Sequence, residues 1–294
     1  MKNAREVIST RLSCRSFDGQ PLSTDDEAAV TSLLKQVNDP PFGSPVGMAL
    51  VSATDTMIAD ISERAPYGVV HNPAQFIVGY VQKGRHSMED FGYVLEQAVL
   101  HVEAHGISTC WLGGTFNRGG FAAVLGLDSD VLIPAVVPIG YPARRRTVSE
   151  GSIRFSVGAR KRKRWSELFF EAEFWDDDDK PQSPPFALSP AAAADYEAML
   201  EAVRLAPSTS NQQPWRIYRY SADSGPDMLH LFVSRTTGFD KAIKDVDMQR
   251  IDAGVAMAHF SVVADEIGFR GHWTERKPSW MPRGVDYVAT WVED

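Results

Sequence analysis

The sequence predicts an α+β fold made of two similar halves. Helical and strand patterns are mixed along the 294 residues without the strict βαβ order of a doubly wound sheet. The composition, 44% hydrophobic and 23% charged, is that of an ordinary globular protein and excludes disordered, collagen-like and coiled-coil classes. At roughly 150 residues per domain, the length predicts two domains or two halves of one.

Four segments have helical patterns. Thr24 and Glu27 have the spacing of a capping box and open a helix that ends near residue 37. Ser189 and Pro190 form an N-cap and first-turn pair that opens a helix to about residue 205. Apolar residues recur at helical spacing along residues 88–105 and 248–267.

Six short segments rich in β-branched and aromatic residues are predicted strands. They are residues 48–51, 76–81, 133–139, 216–220, 228–233 and 286–292. Because helices and strands are interspersed, we expect mixed sheets flanked by helices.

Residues 175–188 have the composition of a linker. Four consecutive aspartates, 176–179, repel one another, and the prolines that follow favour an extended backbone. The aspartate run lacks the turn glycine and the ligand spacing of a calcium loop, so we interpret it as solvated. The predicted organisation is a first half at 1–174, a linker at 175–188 and a second half at 189–294.

A weak internal repeat supports the two halves. Each copy has a long helix, a glycine at the helix C-terminus and a tryptophan a few residues later. The matching residues, each pair 162 positions apart, are Gly92, Gly106 and Trp111 in the first copy and Gly254, Gly268 and Trp273 in the second. We infer a duplication whose halves pack around a shared core.

The net charge of −8 argues against a general nucleic-acid-binding protein. Two basic runs, 144–146 and 160–164, interrupt the pattern. We interpret the second run as solvated surface, because it lacks the interleaved aromatic residues of a nucleic-acid-binding face. A nucleic-acid protein that uses this run is the third and weakest alternative.

Other features restrict the class of the protein. The two cysteines, Cys14 and Cys110, exclude a disulfide framework and a zinc-cysteine site, and we interpret Cys110 as a core residue. The longest apolar run, 131–141, is far shorter than the ~20 residues of a membrane helix. No secretory signal is visible, so we expect a cytoplasmic protein without a membrane partner.

The first candidate motif is Arg11-Leu12-Ser13-Cys14-Arg15. On a helical turn, its two guanidinium groups and a hydroxyl would lie on one side, which suits a phosphate. The spacing by itself is common on exposed helices, so the motif needs support from elsewhere in the chain.

The second motif is the polar stretch 206–215, Ala-Pro-Ser-Thr-Ser-Asn-Gln-Gln-Pro-Trp, directly after a predicted helix. Its run of polar side chains exceeds what a solvent loop needs. We therefore expect a rigid loop, rich in hydrogen-bond donors, that binds a flat polar ligand.

The third motif is the pair Gly113 and Gly114, followed later by Pro-Ile-Gly-Tyr-Pro at 138–142 and the first basic run. Glycines permit close approach of a backbone to a ligand. The glycine fingerprints of Rossmann and P-loop nucleotide sites are both absent from the sequence.

The other titratable clusters are interpreted as structural. His101 and His105 have a metal-compatible spacing but no third ligand nearby, so we predict no metal site and a partly exposed helix face. Four aspartates follow no ligand rule and are interpreted as surface and helix N-terminal charge. They are Asp240, Asp245, Asp247 and Asp252.

In combination, the motifs resemble the FMN-dependent nitroreductase family. The resemblance rests on Arg-Leu-Ser-Cys-Arg-Ser-Phe at 11–17, Gly-Ile-Ser-Thr-Cys-Trp-Leu-Gly-Gly at 106–114, Pro-Ile-Gly-Tyr-Pro at 138–142 and Pro-Ser-Thr-Ser-Asn-Gln-Gln-Pro-Trp at 207–215. It implies a nitroreductase-like α+β fold that holds FMN at a two-fold interface. It also implies an FMN-dependent NAD(P)H oxidoreductase that reduces nitroaromatic, quinone or similar small acceptors by a ping-pong mechanism, with NADH or NADPH as the transient donor.

The chain departs from an ordinary family member in how the motifs are distributed. The first half has the arginine motif, but only Asn-Asp-Pro-Pro-Phe-Gly-Ser-Pro at 38–45 in place of the polar loop. The second half has the intact polar loop but no arginine pair. This resembles the tandem, single-chain branch of the family, an intramolecular pseudo-dimer with one complete FMN site that functions as a monomer.

The resemblance implies a set of cofactor-binding residues. Arg11, Ser13 and Arg15 would hold the FMN phosphate and ribityl chain, and one of Arg144, Arg145 and Arg146 would add positive charge. The loop residues that would contact the flavin are Pro207, Ser208, Thr209, Asn211 and Gln213. Gly113 and Gly114 would bring a backbone N–H towards the ring edge near N5. No side chain is assigned as a catalytic acid or base, because the flavin carries the hydride chemistry.

The alternative function is a flavin-binding carrier or sensor without turnover. It explains the same FMN motifs. Anaerobic bleaching of the bound flavin by NADH or NADPH would distinguish the enzyme from the carrier.

Overall fold

Two long helices, α3 (Ser87–Ala104) and α7 (Met248–Ile267), pack against each other, and each also packs on its own β-sheet. The computed structural model describes residues 3–54, 57, 70–114, 116–144, 161–174, 183–222, 227–236 and 245–294, with the backbone alone at 174, 221 and 222. Within these residues, the predicted α+β class with mixed sheets and flanking helices is confirmed.

Shorter helices flank this central pair. They are α1 (Ala4–Thr10), α2 (Thr24–Gln36), α4 (Arg118–Leu125), α5 (Pro190–Ala193) and α6 (Glu197–Leu205). The capping residue of α2 is Ser23, whose Oγ accepts the amide of Asp26, so the capping box predicted at Thr24 lies one residue too late. In the described part of the chain, no helix combines the length and apolar character that crossing a membrane requires.

The helix predicted from 189 to 205 begins as expected but is interrupted. Ser189 accepts the amide of Ala192, and Pro190 occupies the first helical position. At Ala194, φ is 47° and a short 3-10 turn separates α5 from α6. The break allows Ala193 and Tyr196 to be buried together in the hydrophobic core that packs on the second sheet. The helical pattern of the sequence does not predict this burial.

The first sheet is antiparallel, with strand order β1-β2-β5-β3 and β4 paired to β2. The strands are β1 (Val46–Ser52), β2 (Gln75–Gln82), β3 (Ser108–Thr109), β4 (Val131–Leu132) and β5 (Val136–Gly140). The single strand predicted at 133–139 is divided between β4 and β5. Pro134 lies between them, and it has no N–H to donate to a ladder.

The second sheet has the order β10-β11-β9-β8-β6-β7. The strands are β6 (Phe169–Phe174), β7 (Phe186–Ala187), β8 (Trp215–Ala222), β9 (Met228–Val233), β10 (Gly271–Thr274) and β11 (Asp286–Glu293). β6 pairs in parallel with β8, so the chain enters the second sheet before residue 175. The division into halves at 174 and 189 stays a prediction.

The hydrophobic cores of the two sheets share the central helices. Ile251 and Met248 of α7 belong to the core on the first sheet, whereas Leu100 of α3 belongs to the core on the second. Each half therefore completes the apolar core of the other. This shared core brings segments from both halves together beside the N-terminal turns of α7.

Candidate functional site

The arginine motif follows α1 and is not helical itself. α1 ends at Thr10, and Arg11 has a ψ of 132°. The amide of Cys14 donates to the carbonyl of Thr109 at 2.8 Å, and the amide of Ala143 donates to the carbonyl of Ser16 at 2.9 Å. The predicted helical turn is therefore wrong, because the backbone of this motif is hydrogen-bonded to neighbouring segments instead.

Two guanidinium nitrogens of the motif are buried without a hydrogen-bond partner among the described residues. They are Nη1 of Arg11 and Nε of Arg15. A buried donor without an acceptor costs about 1–3 kcal/mol, so such donors are typical of a site that a ligand completes.

Glu103 is the carboxyl group that interacts electrostatically with Arg11, and it is hydrogen-bonded to Thr109. Burial raises the pKa of Glu103, and the Thr109 hydroxyl and the positive charge of Arg11 oppose that rise. Both the amide and the hydroxyl of Thr109 donate to Oε1 of Glu103, at 2.9 and 2.6 Å. Glu103 therefore forms its hydrogen bonds with Thr109.

The polar loop, which is residues 206–214 of the second motif and ends before Trp215 of β8, has a strained backbone. Ser210, Asn211 and Gln213 have φ values of 49°, 55° and 48°, in a region that costs residues other than glycine of order 1–3 kcal/mol. Ser208 stabilises the turn from within, since its Oγ accepts the amide of Gln213 at 2.8 Å. The remaining support comes from other segments of the chain.

The side chain of Arg162 packs against this loop. Its Nη1 donates to Oδ1 of Asn211 at 3.2 Å, and its Nη2 donates to the carbonyl of Leu205 at 3.1 Å. Burial lowers the pKa of Arg162, and the positive charges of Arg11 and Arg204 lower it further. Arg162 is therefore close to the arginine motif as well. We use the term arginine cluster for Arg11, Arg15 and Arg162.

Lys163 also supports the loop. Its amide donates to Oε1 of Gln213 at 2.7 Å, and its Nζ donates to the carbonyl of Gln213 at 3.2 Å. The prediction that residues 160–164 are solvated surface is thus wrong for Arg162 and Lys163, because the loop oxygens need these donors. Arg160 lies outside the described residues.

Gly113 and Gly114 form a second wall of the candidate site, and the polar loop is the first. A Cβ at Gly113 would lie 2.2 Å from Cε of Met248, at the start of α7, whereas a Cβ at Gly114 would meet nothing within 4 Å. Arg118, which the sequence did not single out, supports the backbone of this wall. Its guanidinium group donates to the carbonyls of Gly113, Ile133 and Pro134.

A buried polar network connects the two walls. His259 of α7 lies 3.0 Å from the carbonyl of Ala202 through Nδ1, and 2.8 Å from Oε1 of Glu96 through Nε2. Because a carbonyl only accepts, Nδ1 carries a proton. Trp111 donates to Oε2 of Glu96 at 2.6 Å. The network joins α6, which leads into the polar loop, to the segment that leads into Gly113.

The remaining predicted site residues are placed as follows. Ser13, Pro207 and Ser208 are half-buried within their motifs, and Arg144 is exposed. Arg145 and Arg146 lie outside the described residues. No group of three or more His, Cys, Asp or Glu side chains in the described ranges could hold a metal ion.

The aspartates of the second half divide into two classes. Asp247 caps the N-terminus of α7, as predicted, and Asp245 forms an ion pair with Lys83 at 2.7 Å. Asp252 is different, since it is 3% exposed and contacts the polar loop, so the interpretation as surface charge is wrong for this residue. Asp240 lies outside the described residues. The sequence contains no local signal that separates Asp252 from its neighbours.

Comparisons with known proteins identify similar chains. A family model described as “Putative TM nitroreductase” matches residues 3–264. A nitroreductase structure from Thermotoga maritima MSB8 has a TM-score of 0.54 and 19% identity, covering 98% of this chain and 92% of that chain, and shows the same fold. No curated protein has significant sequence similarity to this chain.

Two further solved structures match about half of the chain. A nitroreductase family protein from Clostridium novyi NT has a TM-score of 0.41 and 20% identity, covering 49% of this chain and 89% of that chain. An FMN-dependent nitroreductase from Clostridium difficile R20291 has a TM-score of 0.38 and 14% identity, covering 48% of this chain and 88% of that chain.

Proposed function

The chain belongs to this nitroreductase family of oxidoreductases, and on that premise we propose that it is an FMN-dependent NAD(P)H oxidoreductase. It would reduce nitroaromatic, quinone or similar small-molecule acceptors by a ping-pong mechanism, in the cytoplasm and without a nucleic-acid partner. The observation that carries the proposal is the pair of buried guanidinium nitrogens on Arg11 and Arg15, which have no acceptor among the described residues.

The residues present fit a flavin mononucleotide. A phosphate presents several charged acceptor oxygens, which the arginine cluster and the hydroxyl of Ser13 match with charged and neutral donors. The open space beside Gly114 fits the close approach of a flat ring to the backbone. When bound, FMN supplies the hydride-transfer chemistry, and the protein orients and tunes it.

The chain's own residues would act by binding and orientation. The arginine cluster would hold the phosphate at one end of the site. Arg162 and Lys163 bond the side chains of Asn211 and Gln213. Gln213 is 3% exposed, so it would fix the loop from within, whereas Thr209 and Asn211 would line the cofactor. The backbone at Gly113 and Gly114 would offer N–H donors to the ring edge near N5.

We also propose that the chain is a pseudo-dimer with one FMN site. Residues 162 positions apart make corresponding contacts: Met248 lies against Gly113, and His86 lies 3.3 Å from Glu275. At this second position, however, a glutamate replaces the glycine, and Phe42 stacks on His86 with ring centroids 4.3 Å apart. We infer that these side chains occupy the place that corresponds to the flavin site. One chain would then supply both sides of its single site, so we expect a monomer to be active.

An anaerobic titration tests the proposed activity. Purified protein saturated with FMN is mixed with NADH or NADPH, and a quinone or nitroaromatic acceptor is then added. We expect the flavin absorbance to bleach and then to recover. Flavin that binds but does not bleach would support the carrier or sensor alternative, and a wild-type protein that binds no FMN would overturn the proposal. An Arg11→Ala, Arg15→Ala double variant is the matched control for binding at the site.

A further inference from the structure

Asp252 reaches the polar loop from the second turn of α7. Its Oδ1 accepts both the amide of Thr209 at 2.8 Å and the hydroxyl of Thr209 at 3.1 Å. The residue is 3% exposed, and its Oδ2 is buried without a hydrogen-bond partner among the described residues. Burying a carboxyl group with only one of its two oxygens hydrogen-bonded costs free energy, so the position needs a physical explanation.

The loop needs an anchor at Thr209. Ser210 and Asn211, which follow it, both have left-handed backbone conformations. Such conformations persist where the surrounding structure holds them. The bond to Asp252 fixes the first residue of this turn to the central helix, whereas Arg162 and Lys163 hold the later residues Asn211 and Gln213.

Asp90 occupies the corresponding place in the first half, 162 positions earlier on α3. Its two carboxylate oxygens accept the amides of Phe42 at 2.9 Å and Ser44 at 2.8 Å. It therefore holds the loop at 38–45, which lacks the polar side chains of 206–214. The two aspartates have the same structural task, but only Asp252 performs it on a wall of the candidate site.

We propose that Asp252 is a positioning residue of the flavin site: by holding Thr209, it sets the turn that places Thr209 and Asn211 beside the cofactor. The identity of the ligand rests on the proposed function, whereas the anchoring of the loop does not. Asparagine at this position keeps the Oδ1 acceptor, and leucine of similar size removes it. The conservative variant should therefore rescue what the apolar variant loses.

The test compares wild type with Asp252→Asn, Asp252→Leu, Asp252→Ala and the matched control Asp90→Leu. Amide hydrogen exchange is measured on FMN-free protein, and FMN affinity is then measured by fluorescence titration with the visible circular dichroism of the bound flavin. In Asp252→Leu, we expect the Thr209 amide to exchange about tenfold faster and FMN affinity to fall about tenfold, corresponding to one lost hydrogen bond to a charged or buried group. Asp252→Asn should restore both to within about threefold.

The control separates positioning from general destabilisation. Asp90→Leu should speed exchange at Phe42 and Ser44 but leave FMN affinity within about twofold of wild type. Unchanged Thr209 exchange and FMN affinity in Asp252→Leu would overturn the proposal, and so would an equal loss of affinity in Asp90→Leu. If Asp252→Leu does not fold, Asp252→Ala decides, because it removes both acceptor oxygens without adding bulk, and unaltered affinity and flavin spectrum in that variant would overturn the proposal. If wild type binds no FMN, the proposed function and the flavin role of Asp252 both fail. The exchange of the Thr209 amide then tests only whether Asp252 anchors the loop.

Discussion

Gly92 and Gly254 each lie against the backbone of the opposite central helix. A Cβ at Gly92 would be 2.2 Å from the carbonyl oxygen of Ile251, and a Cβ at Gly254 would be 2.0 Å from the carbonyl oxygen of Glu89. Residues 89 and 251 are also 162 positions apart, so the two contacts are reciprocal. The helices α3 and α7 approach so closely that a side chain fits at neither position, which gives the repeat seen in the sequence a physical reason.

The helix crossing predicts a stability effect. Gly92→Ala or Gly254→Ala should lower the free energy of unfolding by about 1–3 kcal/mol, because the helices must separate to admit a methyl group. Gly119→Ala is the matched control, since that glycine lies in α4 and its Cβ would meet its nearest neighbour at 3.5 Å. The control should gain up to about 1 kcal/mol from helix propensity. Urea denaturation measures both, and a neutral Gly254→Ala would contradict the close crossing.

The arginine cluster predicts a loss of FMN affinity. Arg11→Ala and Arg15→Ala should each remove a charge-assisted bond of about 1.5–3 kcal/mol and lower the affinity about tenfold or more. Arg162→Ala should lower the affinity as well, because it also removes the bonds that hold Asn211 and Leu205. Arg164→Ala is the control, because Arg164 is 83% exposed and pairs with Glu167 on the surface. Fluorescence titration compares the four variants with wild type. Equal affinity in all of them would remove the cluster from the phosphate site.

Local sequence signals predicted the elements whose ends are marked by their own residues. α7 begins and ends at the predicted residues 248 and 267, because Asp247 caps one end and Gly268 adopts φ 74° at the other. β6 had no such signal. It is defined by parallel pairing with β8, a strand far along the chain, and the residues of β6 alone do not encode that partner.

The residues of the candidate site divide in the same way, into those that a local motif predicts and those that only the tertiary structure reveals. The polar loop was found because its run of polar side chains is unusual for a solvent-exposed segment, and the arginine motif because it occurs together with the other motifs of the family. Arg162 and Asp252 were missed because a basic run and an aspartate near a helix N-terminus both resemble surface charge. Only the tertiary structure places Arg162 on Asn211 and Asp252 on Thr209.

The asymmetry of the halves predicts one FMN per chain. The position that corresponds to Gly113 is Glu275, and the first-half loop lacks the polar residues, so a second flavin has no equivalent site. Flavin released by heat should therefore equal the protein in molar amount, and the flavin-bearing species should include a monomer by native mass measurement. Two FMN per chain, or flavin confined to a dimer fraction, would overturn the pseudo-dimer proposal while leaving the family assignment intact.

The buried carboxyl of Asp252 predicts a pH dependence of stability. Burial raises the pKa of Asp252 from 3.8 to about 7, and the two Thr209 donors oppose this only in part. Because the folded protein disfavours the ionised form, the stabilisation is complete below about pH 4 and is lost as the pH rises to about 7. Asp252→Asn cannot ionise, so its free energy of unfolding relative to wild type should rise by up to about 4 kcal/mol over that interval and then stay constant. Urea denaturation of the two proteins at matched pH cancels the contribution of every other titrating group. A difference that does not change with pH would show that the folded protein accommodates the carboxylate as readily as water does.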